Sequence, residues 1–238
     1  MTVQFVNDGA QFFAASNDIL HSAGIRIEVG TDFDIYAKIV AKGRLVQGLG
    51  APFDPQLHDL NETNAFWLVA YNSEGVLIHT QAAKMVKMEG KTLSQYMMGR
   101  FREFPPALPD IDFVRSRYRA TPGAHGISGD VVYHGDIWVS QEAGEYRGVG
   151  LSTVFARYGL MLAMEKWNPD FIFGFMARTV AFKGFAERMG YFHNEPGSLR
   201  WYRHGNDTAM EGFLSYLSNA DVRFLFEMPL YELVKQAA

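Results

Sequence analysis

Two glycines next to an arginine form the stretch of this sequence with the clearest chemical meaning. The segment "EYRGVGLSTVF", residues 145–155, places Arg147, Gly148 and Gly150 directly before apolar residues at helical spacing. The N–H groups in the first turn of a helix have no partner inside the helix, and they favour an anion bound in front of it. Glycine lets that anion approach the backbone and tolerates positive φ. The segment therefore predicts a phosphate-binding turn.

Three phosphate-binding motifs compete for this turn. A nucleoside triphosphate P-loop needs a lysine after its last glycine, and the lysine is missing before Ser152 and Thr153, which excludes this motif. The dinucleotide fingerprint G-x-G-x-x-G would need a glycine where Thr153 stands, so it is only a partial match. The third motif is a coenzyme A pyrophosphate loop, with the pattern Arg or Gln, two residues, Gly, one residue, then Gly or Ala.

The residues "YRGVGLS" resemble this third motif as it occurs in the GCN5-related N-acetyltransferases. Arg147 and Gly150 match in order, and Ser152 replaces the last Gly or Ala. The context is also similar, because a strand precedes the loop, a long amphipathic helix follows it, and a later short helix ends at Gly190 and Tyr191. The resemblance covers most of residues 25–204. We interpret residues 1–238 as a single domain. An insertion at 89–130, between the third and fourth strands, and a C-terminal extension at 205–238 lie outside the resemblance.

The resemblance implies an α/β fold with a mixed, mostly antiparallel central sheet flanked by helices. It also implies binding of acetyl-CoA or another acyl-CoA as co-substrate. The loop backbone would hold the pyrophosphate, a hydroxyl near it would assist, the edge of the fourth strand would pair with the pantetheine arm, and Arg178 would either reach the cofactor or cap the fifth strand. The residues implied in cofactor binding are Ile137, Trp138, Val139, Arg147, Gly148, Val149, Gly150, Leu151, Ser152, Thr153 and Arg178.

Acyl transfer to an amine needs a base that removes a proton from the ammonium group and an acid that protonates the leaving thiolate. His134 and Asp136 alternate along the strand before the loop, and we interpret them as sharing one face and as candidate catalytic residues. Tyr133 and Glu142 are further candidates. Ala186 stands where the family usually carries a tyrosine. The leading hypothesis is an N-acyltransferase. The missing tyrosine motivates the alternative, an inactive acyl-CoA-binding sensor or assembly module, and Ser152 in the loop motivates a third, a purely structural use of the fold.

The acceptor is expected to be an amine of a small molecule or a peptide. The insertion at 89–130 is placed to wall the acceptor pocket. Its arginines either meet an acidic acceptor or form a solvated basic face; they are Arg100, Arg102, Arg115, Arg117 and Arg119.

The sequence also contains strand-like and helix-like patterns, and these predict the elements that position the site residues. Residues 25–29 alternate as a strand, and Thr31 or Asp32 could cap the helix that follows. Two apolar runs in 65–88, joined by Asn72–Gly75, predict a hairpin. Further strands are predicted at 131–140, 171–176 and 198–204, and helices at 92–104, 151–166, 180–190, 208–217 and 229–236.

Composition narrows the class of protein. The chain has 238 residues, no cysteine and a net charge of −4, so disulfides, cysteine-ligated zinc and a cysteine nucleophile are excluded. No basic run predicts nucleic-acid binding, and the seven histidines lack the spacing of metal ligands. No apolar stretch predicts a signal peptide or a membrane span. We expect a cytoplasmic protein without a metal, and a homodimer is left open.

Overall fold

An eight-stranded sheet forms the centre of the protein, with the strand order β1-β2-β3-β5-β6-β8-β7-β4. The computed structural model describes residues 2–140, 150–228 and 230. Six neighbouring strand pairs are antiparallel and β5 runs parallel to β6, which confirms the predicted mixed, mostly antiparallel sheet. The strands are β1 Arg26–Gly30, β2 Ala65–Tyr71, β3 Leu77–Val86, β4 Ile111–Tyr118, β5 Val131–Val139, β6 Phe171–Ala177, β7 His193–Arg203 and β8 Asn206–Ser218.

Two helix layers flank the sheet. On one face, Tyr36 and Met97 from the second and third helices pack with Tyr133 of β5. On the opposite face, Leu160 of the long fourth helix packs with Val132, the next residue of β5. Successive residues of a strand point to opposite faces, so β5 contributes to both cores. The helices are α1 Thr2–Ser22, α2 Phe33–Gly43, α3 Leu93–Arg100, α4 Leu151–Trp167, α5 Arg178–Ala181, α6 Phe185–Met189 and α7 Asn219–Glu227.

Several local predictions are confirmed. Asp32 caps α2, because its carboxylate accepts hydrogen bonds from the backbone N–H groups of Asp34 and Ile35 at 3.0 and 3.1 Å. The predicted hairpin is formed by β2 and β3, and the Asn72 side chain accepts from the N–H of Val76 at 2.8 Å in its turn. The helix after the glycine turn begins at Leu151 and ends at Trp167.

The prediction of a helix at 208–217 is wrong. These residues belong to β8, which pairs with β6 on one side and β7 on the other. Leu214 packs into the core on the α2 side and Leu217 into the core on the α4 side. A strand buried on both faces reads as a nearly continuous apolar run, which periodicity alone cannot distinguish from a buried helix. Residues 222–228, which lie between the two predicted C-terminal helices, fall largely in α7. The predicted helix at 229–236 lies outside the described residues apart from Leu230.

The segment 89–130 leaves the sheet after β3 and returns to it at β5. It carries α3 and also β4, which pairs with β7 at the far edge of the sheet. Most of residues 205–218 form β8, which lies inside the sheet between β6 and β7. No helix among the described residues is long and apolar enough to cross a membrane.

Candidate functional site

The parallel strands β5 and β6 separate near the middle of the sheet. They pair at Val131↔Phe171, Val132↔Ile172 and Tyr133↔Phe173, and no pairing between them is found beyond that point in the described residues. A Cβ atom at Gly174 would lie 2.6 Å from the His134 carbonyl oxygen, so glycine is needed where the separation begins. Beyond it, the facing strand edges leave backbone N–H and C=O groups without a strand partner.

A cavity of about 290 Å³ occupies this opening. One wall consists of β5 residues 133–137 and another of β6 residues 174–177, with Tyr191 beside them. The outer wall comes from the loop after α2, including Gly50 and Phe53, and from residues 105–107 of the segment 89–130. The segment 89–130 therefore does wall the cavity, through prolines and an alanine. None of its arginines lines this cavity.

A bulge in β5 separates the two predicted catalytic residues. Thr80 pairs with Trp138 and Ala82 pairs with Gly135, so β5 carries one residue more than β3 between these pairs. Asp136 lies in the bulge with a positive φ of 53°. The extra residue interrupts the alternation of side chains. His134 consequently points to the α4 side and Asp136 to the α2 side, and the prediction that they share one face is wrong.

Asp136 is held in a buried ionic network with α2. Its Oδ2 atom lies 2.6 Å from Arg44 Nη2 and accepts a hydrogen bond from the Tyr36 hydroxyl at 2.6 Å, and its Oδ1 atom accepts from the backbone N–H of Gly50 at 3.0 Å. The side chains of Arg44 and Asp136 are 0% and 1% exposed. Burial lowers the pKa of Arg44, but Asp136 and Tyr36 outweigh it and leave the pKa raised. Both carboxylate oxygens of Asp136 are occupied by groups of the protein, so the network fits an anchor for the bulge better than a base.

His134 belongs to a different chain of hydrogen bonds. Its Nε2 atom lies 2.7 Å from Gln81 Oε1, and its Nδ1 atom lies 2.9 Å from the Tyr191 hydroxyl. The Gln81 amide nitrogen donates to the carbonyl of Phe155, which orients its oxygen towards the histidine. Because that oxygen only accepts, Nε2 carries the proton and Nδ1 accepts from Tyr191. Burial lowers the pKa of His134 to about 4, so the ring is neutral at pH 7.

Tyr191 is a cavity residue that the sequence interpretation did not single out as a site residue. Its ring is 3% exposed, it lines the cavity, and burial raises the pKa of its hydroxyl strongly. The only signal in the sequence was its place directly after Gly190, where it served merely to mark the end of a helix. Ala186, at the position expected for tyrosine, is fully buried and brings no hydroxyl to the site.

Helix α4 is linked to the cavity residue His134 through Gln81, which contacts both His134 and the carbonyl of Phe155. Gly150 is its N-cap residue, with φ 75° and no side-chain cap. Ser152 is half-buried, while Leu151 and Thr153 are buried. For the backbone N–H groups of Leu151 and Ser152, no acceptor is found in the described part of the chain. These groups stay available to an anion. Arg147, Gly148 and Val149 lie outside the described residues, as does Glu142.

The remaining predicted cofactor residues differ in position. Ile137 lines the cavity, whereas Trp138 and Val139 continue β5 beyond it, paired with Thr80 and His79. Arg178 begins α5 and forms an exposed ion pair with Glu211 at 3.0 Å. Within residues 2–140, 150–228 and 230, no group of three or more His, Asp or Glu side chains is placed to hold a metal ion.

Acid is expected to destabilise the protein through its two fully buried histidines. Burial lowers the pKa of His134 to about 4 and that of His79 to about 3, against about 6.5 in an unfolded chain. Between these values the unfolded state binds more protons, so the stability present above pH 6.5 is lost as the pH falls, by up to about 1.4 kcal/mol per pH unit for each histidine. Urea unfolding at pH 7, 6 and 5 measures this slope.

His79→Leu supplies the comparison for this slope. His79 stacks on Phe155 with ring centroids 4.5 Å apart, and its ring nitrogens lack hydrogen-bond partners among the described residues, so leucine fits the apolar site. The variant should lose part of the slope between pH 6.5 and 5, because His79 no longer titrates while His134 and His58, whose pKa values burial also lowers, still do. An unchanged slope would contradict the assignment.

Comparison with known proteins gives matches at the level of structure. No family model matches the chain, and no curated protein sequence matches it. Similar solved structures include an N-acetyltransferase from Staphylococcus aureus Mu50, with 13% identity, 82% of this chain and 98% of the other covered, and a TM-score of 0.40. A variant of the spermidine N-acetyltransferase SpeG from Vibrio cholerae has 10% identity, coverage of 84% and 96%, and a TM-score of 0.44. The yncA structure from Salmonella typhimurium, solved with its cofactor acetyl-CoA, has 12% identity, coverage of 82% and 94%, and a TM-score of 0.39.

Proposed function

We propose that the protein is an acyl-CoA-dependent N-acyltransferase that transfers an acyl group, in the simplest case acetyl, to an amine. The observation that carries this proposal is the separation of β5 and β6 over a cavity, combined with a glycine-capped helix, α4, to which the cavity residue His134 is linked through Gln81. Open strand edges suit an extended, amide-containing arm, and a glycine-capped helix start suits a pyrophosphate. The acyl-CoA supplies an activated thioester when it is bound.

Residues of this chain would divide the binding between them. The backbone of Ile137 and the β5 edge that continues through Val139 would pair with the pantetheine arm. The N–H groups of Leu151 and Ser152, together with the loop residues Arg147–Val149, would bind the pyrophosphate. Thr153 would add a hydroxyl at the same helix end. Arg178 is engaged with Glu211, so we give it no direct role.

Tyr191 is the best-placed residue to move a proton. Tyr191 lines the cavity where β5 and β6 begin to separate, and neutral His134 holds its hydroxyl in place at 2.9 Å. Because the pKa of the hydroxyl is strongly raised, the residue would not accumulate as a phenolate. It would instead relay a proton: the carbon–nitrogen bond forms, the carbon–sulfur bond breaks, and the Tyr191 hydroxyl turns its hydrogen from His134 Nδ1 to the sulfur and gives it up as it takes a proton from nitrogen. His134 acts as a positioning residue in this scheme, and Asp136 fixes the bulge beside it.

The acceptor would reach the cavity past an apolar rim. Pro105, Pro106 and Ala107 lie on one side of the opening, and Pro52 and Phe53 lie on another. Asp136 is the one carboxylate that lines the cavity among the described residues, and Arg44 already neutralises it. We therefore favour an amine on a small molecule or peptide without a cluster of positive charges. A cytoplasmic location and a homodimer remain predictions from the sequence.

The alternative is a protein of the same fold that binds acyl-CoA without turning it over. One observation favours it: both predicted catalytic side chains, His134 and Asp136, are fully engaged in hydrogen bonds with the protein scaffold. Calorimetry with acetyl-CoA and longer acyl-CoAs, combined with thiol release on a panel of amines, separates the two functions. Binding without thiol release across the panel would favour the alternative.

Gly150→Glu is expected to weaken acetyl-CoA binding by at least about 100-fold, because a carboxylate would occupy the helix end meant for the pyrophosphate. Gly75→Glu is the matched control, since Gly75 has φ 77° against 75° for Gly150, and no described atom lies within 4 Å of the position that a Cβ would take there. Both variants carry the same backbone penalty, but only Gly150→Glu should lose affinity in calorimetry. Equal affinity in both variants would rule out this helix end as the phosphate site.

A further inference from the structure

Two arginines are buried among the described residues, and they differ in their partners. Arg44 is neutralised by Asp136 at 2.6 Å. Arg157, in the middle of α4, is 4% exposed, and its Nε atom is buried without a hydrogen-bond partner in the described part of the chain. No carboxylate among these residues forms an ion pair with it. A buried charge without a partner is strongly unfavourable, so its retention calls for a compensating anion.

The position of Arg157 on α4 indicates where that anion would lie. Arg157 follows Thr153 by four residues and Gly150 by seven, so the three lie on the same side of the helix, within roughly two turns or about 10 Å of each other. Long side chains on a helix lean towards its N-terminus and cover the preceding turn. This lean would direct the guanidinium group along this side of the helix, towards the glycine-capped end.

The residues next to Arg157 on α4 belong to apolar clusters, and its guanidinium group keeps its charge. Its neighbours Ala156 and Leu160 pack in an apolar cluster with Ala186 and Met189 of α6. Burial lowers the pKa of Arg157 to about 10, so the guanidinium is still positively charged at pH 7. A charged group in such surroundings interacts with an incoming anion more strongly than a solvated arginine would.

We propose that Arg157 is a binding residue for a phosphate group of the cofactor, which it meets at the N-terminal end of α4. This inference rests on the proposed acyl-CoA binding and adds a side-chain cation to a site otherwise made of backbone N–H groups. The pyrophosphate is the phosphate that a helix end favours. We expect Arg157 to lower the stability of the unliganded protein and to raise its affinity for the cofactor.

Arg157→Met tests both effects, because it keeps the apolar stem and removes the charge. We expect the melting temperature of the unliganded variant to rise by roughly 2–4 °C. The Kd for acetyl-CoA should weaken by about 10- to 100-fold. Arg157→Lys, which keeps a positive charge without the planar fork, should fall between Arg157→Met and the wild type in affinity. Lys166→Met removes an exposed cation from the same helix and should change neither quantity.

Acetyl-CoA lacking its 3′-phosphate distinguishes the two phosphate sources. An equal loss of affinity for both cofactors in Arg157→Met assigns the pyrophosphate, and a loss confined to the complete cofactor assigns the 3′-phosphate. A lower melting temperature together with an unchanged Kd would overturn the proposal and make Arg157 a structural residue.

If the wild-type protein binds no acetyl-CoA, the proposed function is contradicted. The proposal that Arg157 binds an anion can still be tested. Inorganic pyrophosphate is then the probe. A rise in the wild-type melting temperature with pyrophosphate that disappears in Arg157→Met supports an anion site at Arg157. No rise in either protein overturns the anion site as well.

Discussion

Asp136→Ala is expected to lower the free energy of unfolding by about 3–5 kcal/mol, the usual cost of removing one partner from a buried ion pair. The reason is that the Arg44 guanidinium, with a side chain 0% exposed, would be left without its carboxylate. Tyr36 and the N–H of Gly50 would lose an acceptor at the same time. Urea unfolding at pH 7 measures the loss.

Two further variants identify the origin of this loss. Glu89→Ala breaks the exposed Lys91–Glu89 pair, whose side chains are 51% and 66% exposed, and should leave the free energy of unfolding close to that of the wild type. The double variant Arg44→Met/Asp136→Leu removes both charges and should recover most of the stability lost in Asp136→Ala. If the double variant is as unstable as the single one, the loss comes from the backbone at the bulge rather than from the unpaired guanidinium.

Tyr191→Phe is expected to reduce kcat for acyl transfer by about 100-fold or more while the Kd for acetyl-CoA stays near the wild-type value. The substitution removes the hydroxyl that would relay the proton and keeps the ring that fills the site. It also leaves the buried Nδ1 atom of His134 without its donor, which should cost about 1–3 kcal/mol of stability. Steady-state kinetics on any active amine, together with calorimetry, separates the two effects.

Tyr133→Phe is the matched control for this experiment. Tyr133 lines the same cavity, and no hydrogen-bond partner for its hydroxyl is found among the described residues. Its removal should leave kcat within about 3-fold of wild type because no proton path is assigned to it. A large loss in Tyr133→Phe with normal activity in Tyr191→Phe would transfer the role to Tyr133, one of the candidates from the sequence.

The sequence could predict the parts of this fold that depend on local patterns. The strand before the glycine turn, the long helix after it and the β2–β3 hairpin follow from alternation, helical spacing and turn residues. The strand β8 could not be found in this way, because its burial on both faces depends on β6 and β7. The position of an element within a sheet is a non-local property that residues 206–218 do not encode by themselves.

The candidate site was predictable only in part for a similar reason. Gly150 could be singled out because a turn directly before a helix has a local signature. The opposite orientations of His134 and Asp136 depend on one extra residue in β5. A prediction that assumes regular alternation along the strand does not detect this residue. Arg44 is separated from Asp136 by 92 residues, and Tyr191 from His134 by 57, so neither partner could be inferred from spacing.

The position of β8 also affects the order in which the protein can fold. Strand β6, which forms one wall of the cavity, is complete at Ala177, yet one of its edges pairs with residues 212–218 of β8. During synthesis, this edge stays open until β8 has left the ribosome, and pairings so distant in sequence form slowly. An incomplete chain would therefore expose an apolar strand edge, where association with other chains begins most easily.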